Sequence, residues 1–158
     1  MRNDLIQAFA KRTTQASKTE LVVIQYEIIL QCLNDAEDSI SNQDIEEFTK
    51  SLNFANKFLK ELIGTLDYKY IISYELLHLY LYASKCLVLS IIKEDSTFLK
   101  DAANIIEKLL FAFNEISKED DSGPVMQNTQ KVYAGLTYGK NNVNETFINL
   151  DNNRGFKA

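Results

Sequence analysis

Apolar residues recur at steps of three and four through most of the first 117 positions, with polar residues filling the gaps. That spacing predicts helices that turn one face to a core. Four such segments follow one another. The first runs from about Lys18 to Ile40, with Val22, Tyr26, Ile29, Leu33, Ala36 and Ile40 on one stripe. Ser17 and Glu20 stand three apart at its start, the spacing of a capping box in which each satisfies a free backbone N–H. The second runs from about Gln43 to Thr65, with Asn42 as the expected cap. Its stripe is Ile45, Phe48, Leu52, Ala55, Leu59, Leu62 and Leu66, and Gly64 marks its end.

The third segment, about Lys69 to Lys93, is apolar nearly all round, which predicts a buried helix or one with a partner on its second face. The fourth runs from about Thr97 to Ser117, capped by Asp95 or Ser96, with Phe98, Ala102, Ile106, Leu109, Phe113 and Ile116 aligned. Short links between the segments favour antiparallel neighbours. Steps of three and four sustained over several turns favour crossing angles of about +20°. The expected fold is therefore all-α. It is an antiparallel, up-down-up-down four-helix bundle over residues 17–117. A short N-terminal cap segment at 1–16 carries Leu5, Ile6 and Phe9 at one-turn spacing, and a C-terminal extension covers 118–158.

Composition narrows the choices. One proline and five glycines among 158 residues are too few for the turns of an all-β chain. The net charge of −5 argues against general nucleic-acid binding, which needs a cationic footprint. The segment 17–117 carries that acidity, with nine basic against sixteen acidic residues, while the extension is charge-balanced and holds seven asparagines. Cys32 and Cys86 lie inside apolar runs and read as reduced core thiols of a cytosolic protein. The first residues lack the apolar block of a signal peptide. Ile71 to Ile92 is apolar enough to raise a membrane span, but Glu75, His78 and Lys85 would be costly at bilayer depth, so no membrane insertion is expected.

Candidate chemistry is sparse. Glu75 and His78 form a Glu-x-x-His step, but a di-iron bundle needs two such steps and two further glutamates. The chain has one histidine, so neither that centre nor a Ser/His/Asp set is expected. There is no phosphate-cradling loop and no C-x-x-C pair. No enzyme activity, metal or cofactor is expected, and His78 reads as a half-buried hydrogen-bonding residue. What remains is surplus apolar surface. The first segment has Leu21, Val23, Ile24, Ile28 and Leu30 off its stripe. The second has Phe54 and Phe58 one turn apart. The third has Tyr70, Tyr74, Leu77, Leu81 and Val88 beside its stripe. A thick core in which every helix touches two neighbours accounts for part of these positions. The others point to a partner site that takes an amphipathic helix or an extended segment.

These residues resemble the flagellin-specific export chaperone (FliS) family. Ala16-Ser17-Lys18-Thr19-Glu20-Leu21-Val22-Val23-Ile24-Gln25-Tyr26-Glu27 aligns its Ala-Ser, Leu-Val and Tyr-acidic elements with the family's first long helix. Lys18 replaces the family's proline, and Gln25 replaces the hydrophobic residue before the tyrosine. Glu75-Leu76-Leu77-His78-Leu79-Tyr80-Leu81-Tyr82 is similar to an N-L-x-x-L-Y-x-Y stretch. Leu66-Asp67 and Ile6-x-x-Phe9 match further elements, the last with phenylalanine for tyrosine. The resemblance covers about residues 3–117.

The resemblance implies a cytoplasmic export chaperone. It would bind the disordered C-terminal segment of flagellin, prevent premature polymerisation, and dock loaded at the flagellar export gate. It makes Ile6 and Phe9 part of a movable cap beside the binding surface. It places Leu21, Val22 and Tyr26 in a helix-one signature where core packing and partner contact are not separable. With Phe54, Phe58, Tyr74, Leu77 and Leu81 from the surplus, these form the expected partner-binding set. The alternative is a generic helical-bundle module for protein interaction or oligomerisation. The extension has two readings. It is a weakly ordered tail, or its spaced apolar residues place it in the client groove of its own or a neighbouring molecule.

Overall fold

In the computed structural model, residues 3–126 are described, with side chains from Ile6 onward. Five helices and no strand occur among them: α1 (Asn3–Gln15), α2 (Lys18–Ser41), α3 (Ile45–Gly64), α4 (Ile71–Lys93) and α5 (Leu99–Lys118). Residues 127–158, and with them the expectation that the extension fills a groove, lie outside the described residues.

The local signals explain most boundaries. Ser17 opens α2 with both halves of the capping box. Its hydroxyl accepts from the Glu20 amide at 3.2 Å, and its own amide donates to the Glu20 carboxylate at 2.8 Å. The cap of α3 is Asp44 rather than Asn42: its carboxylate accepts from the Glu47 amide at 3.0 Å. Asn42 instead closes α2, and Gln43 adopts φ 60° to reverse the chain within three residues. Neither Asp95 nor Ser96 caps α5 through its side chain. Asp95 accepts from the Thr97 amide and hydroxyl in the preceding turn, so the helix starts only at Leu99. A residue that closes its own Asx turn is not free to cap the helix beyond it.

α2 packs against α3 and α5, and α4 packs against the same two helices, while α1 lies on α2. The core holds Tyr26, Ile29 and Leu33 of α2, Phe48, Leu52, Leu59 and Leu62 of α3, Tyr80 and Leu87 of α4, and Leu99 and Ile106 of α5. Val23, Ile24 and Ile28, counted above as surplus, are buried. α2 has neighbours on three sides, so one stripe does not exhaust its packed surface. A Ser84-to-Asn56 hydrogen bond of 2.6 Å ties α4 to α3. An ion pair between Arg12 and Glu27 ties α1 to α2. Beyond α5 the chain turns back to the start of α2. The Asp120 carboxylate accepts from the Thr19 amide at 3.3 Å, and the Val125 amide donates to the Ala16 carbonyl at 3.0 Å.

Candidate functional site

α4 departs from the usual distribution of residue sizes between core and surface. Its inward stripe is Ser73, Leu76, Tyr80, Ala83, Leu87 and Ser90, of which half are small or polar. Its outward stripe carries Ile71, Tyr74, Leu81, Val88 and Ile92, all exposed, with Ile71 at 83% and Ile92 at 72%. Small residues thus take half of the inward stripe beside buried Tyr80 and Leu87, while several large apolar ones are left in solvent. The stripe spans 22 residues, roughly 30 Å of helix. Tyr82 and Leu79 are exposed beside it, and the Tyr68 ring meets Tyr74 with centroids 5.5 Å apart. Apolar surface of this length, interrupted along the stripe by His78 and Lys85, marks a partner site in a globular domain. By length and composition alone α4 would also suffice to cross a membrane, a property that packing helices share.

A second apolar feature lies where α1, α2 and α3 meet. An open cavity of about 550 Å³ is lined by Ile6, Cys32 and Phe54, with Asp35, Glu47, Lys50 and Lys57 among its polar residues. Phe54 is held edge-on against Phe58, centroids 5.2 Å apart and planes at 86°. Burial pushes the Cys32 thiol up to about 12, with Asp35 adding to the shift. At neutral pH Cys32 is therefore a thiol and not a thiolate, which makes it a poor nucleophile. Apolar walls with charged residues at the edge suit the side chain of a bound peptide better than a reaction.

The residues expected to bind a partner fall into three groups. Ile6 and Phe54 share the cavity, with Phe58 in ring contact. Tyr74, Leu77 and Leu81 follow one another along α4, Tyr74 and Leu81 exposed and Leu77 half-buried. Phe9, Leu21, Val22 and Phe58 are partly buried and pack against the core. Tyr26 is a correction: it is 0% exposed, its hydroxyl bonded to that of Tyr80, and it offers a partner no surface. Position 26 sits on the inner stripe of α2, the helix with the most neighbours, so its signature reports packing. His78, expected half-buried, is exposed on α4. Sequence reasoning missed Ile71, Ile92 and Phe111, the last 71% exposed on α5. For the two isoleucines the signal was present, since the steps of three and four through Tyr74 and Leu81 continue to both ends of α4. Among the described residues, no group of three or more His, Cys, Asp or Glu side chains is placed to hold a metal ion.

No curated protein matches the chain. Residues 1–120, which include every element described above, match the model of the family described as flagellar protein FliS. With three quarters of its length under that model, the chain belongs to the FliS family of flagellar proteins.

Proposed function

We propose that this protein is a cytoplasmic export chaperone that holds the disordered C-terminal segment of flagellin, prevents its premature polymerisation and delivers it to the flagellar export apparatus. In this reading residues 17–117 form an antiparallel four-helix bundle and residues 1–16 cap it. The pairing of α2 and α4 each with α3 and α5, through links of three, six and five residues, supports that arrangement. The observation that carries the function is the outward stripe of α4, with the α1–α2–α3 cavity as a second docking point.

A client that is disordered when free loses chain entropy on binding and needs a long apolar track to offset that loss. Coupled folding and binding typically buries about 1,000–3,000 Å². At ~25 cal/mol per Å² of apolar area the gross gain is large, and most of it is returned in ordering the client. The resulting affinity stays within reach of an export machine that must strip the client off. Neither nucleotide nor metal is needed, and the ionisable side chains of Glu75, His78 and Lys85 on α4 disfavour insertion in a bilayer.

Calorimetry of the full chain with a peptide covering a flagellin C-terminal segment tests the reading. The expected result is a 1:1 complex at micromolar concentration with a large negative heat-capacity change, weakened by Tyr74→Ser and Leu81→Ser. Absence of a complex with the folded chain at those concentrations would refute it.

A further inference from the structure

We infer that residues 119–126 latch the joint between α1 and α2, and that their release lets α1 swing off α2 and opens the α1–α2–α3 cavity. The joint is two residues long, Ala16 and Ser17, and both are buried. Two hydrogen bonds from the far end of the chain flank it. The Val125 amide donates to the Ala16 carbonyl, and the Thr19 amide donates to the Asp120 carboxylate. Turning α1 about the joint turns the peptide plane between Ala16 and Ser17, and Val125 holds that plane.

α2 does not need Asp120 in order to start. Its N-terminus already has the local box of Ser17 and Glu20. Asp120 is a second acceptor, brought from 101 positions away to an amide that the box leaves free. What it adds is an attachment, and the attachment sits where α1 is otherwise weakly held. From Ile6 to Gln15 no residue of α1 is buried, and Phe9 packs only partly against the core. The Arg12–Glu27 pair joins side chains left partly in solvent, and such pairs contribute little. Segments with few buried apolar contacts open at the smallest free energies of a fold. The latch itself puts no side chain in the core: Asp120 is half-buried, and its other residues are exposed. It can therefore leave while the core stays closed. Ile6 on α1 lines the cavity with Cys32 and Phe54, so the swing of α1 removes one wall. None of this depends on what the cavity binds, and it stands apart from the chaperone reading.

Thiol reactivity of the full chain at neutral pH is the test, read at each cysteine by mass spectrometry with a small maleimide. Cys32 lines the cavity and reports on α1, while Cys86, buried on α4 outside the cavity lining, is the internal reference. Asp120→Ala removes the acceptor of one bond, and Val125→Pro removes the donor of the other. Each should raise the Cys32 rate about tenfold relative to that of Cys86, as expected for the loss of one hydrogen bond. The two changes together should raise it further. Spin labels at Lys11→Cys on α1 and Lys60→Cys on α3, both exposed, should give one distance with Asp120 in place and a second, longer one in Asp120→Ala. A Cys32 rate that neither variant changes overturns the inference. So does a rise shared equally by Cys86, which would mean general loosening, or a Lys11–Lys60 distance that stays single.

Discussion

The hydroxyls of Tyr26 on α2 and Tyr80 on α4 hydrogen-bond to each other inside the core, where both rings are buried. Their centroids lie 6.3 Å apart, and Phe113 of α5 meets Tyr26 edge-on at 5.5 Å. Three helices thus converge on one polar contact. Both tyrosines belong to the stretches that resemble the family's signatures, so at these positions the signature records how the helices are held together.

Removing one hydroxyl should cost more than removing both. Tyr26→Phe strands the Tyr80 hydroxyl away from water, and an unsatisfied buried group costs about 1–3 kcal/mol. The reciprocal Tyr80→Phe should do the same. In Tyr26→Phe/Tyr80→Phe no polar atom is stranded, and stability should recover toward the parent. Urea denaturation of the four proteins gives the coupling. Additive losses would mean that the two hydroxyls do not depend on each other.

The same burial predicts alkaline instability. Burial pushes the Cys32 thiol from 9.0 up to about 12, and it raises both Tyr26 and Tyr80 above their usual 10.0. Above about pH 9 the unfolded chain releases the Cys32 proton while the folded chain keeps it, and from about pH 10 the tyrosines follow. The folded state then binds more protons, so stability falls as pH rises. Below pH 9 these groups contribute no slope. Thermal melts from neutral pH to pH 11 should show a decline starting near pH 9, and Cys32→Ala should make its first part shallower, leaving the share of Cys86, whose thiol burial also raises. An unchanged slope between about pH 9 and pH 10 would assign the decline to other groups.

The helix stripes were legible because a 3.6-residue period is a local property. Phe48, Leu52, Ala55, Leu59 and Leu62 were aligned in the sequence, and all are buried. The Ser17–Glu20 box was legible for the same reason. The cap of α3 was not. The choice of Asp44 over Asn42 depends on the φ 60° reversal at Gln43, which no side-chain pattern announces. The burial of Val23, Ile24 and Ile28 depends on what surrounds α2; Tyr26 stood on the core-facing stripe, as its burial has it, and only the resemblance had also put it in the partner-binding set. On α4, large apolar residues occupy both sides and no polar stripe marks the outside. Only the placement of small Ser73, Ala83 and Ser90 against the core decides which side faces solvent.

Asp120 should act as a clasp. Its carboxylate accepts from the Ser122 amide at 3.1 Å and the Thr19 amide at 3.3 Å, and these hydrogen bonds hold it well below the usual carboxylate range, that from Ser122 most of all. A lowered value means that the clasp is complete above the ordinary carboxylate range and is released only as pH falls below it. Asp120→Asn should loosen the return of residues 120–125 to α2 while leaving the helices intact. Hydrogen exchange should quicken at the Thr19 and Val125 amides and stay unchanged at Leu52 and Leu87. Equal quickening at all four would mean global destabilisation and no local clasp.

Two phenylalanines on α3 should separate core from docking surface. Phe48 is fully buried, and Phe48→Ala should cost about 3–5 kcal/mol. Phe54 is exposed at the α1–α2–α3 cavity and forms a T-shaped pair with Phe58, an interaction worth about 0.5–1.5 kcal/mol beyond the area it buries. Phe54→Ala should therefore destabilise less than Phe48→Ala, losing the ring contact and a partly buried side chain where Phe48→Ala loses a fully buried one. Its effect should appear instead in affinity for a flagellin C-terminal peptide, and Ile6→Ala, across the same cavity, should weaken that affinity in the same direction. Calorimetry on chains shown to be folded reads this directly. Retained affinity in Phe54→Ala alongside a loss in Leu81→Ser would confine the client to α4 and leave the cavity without a part in binding it.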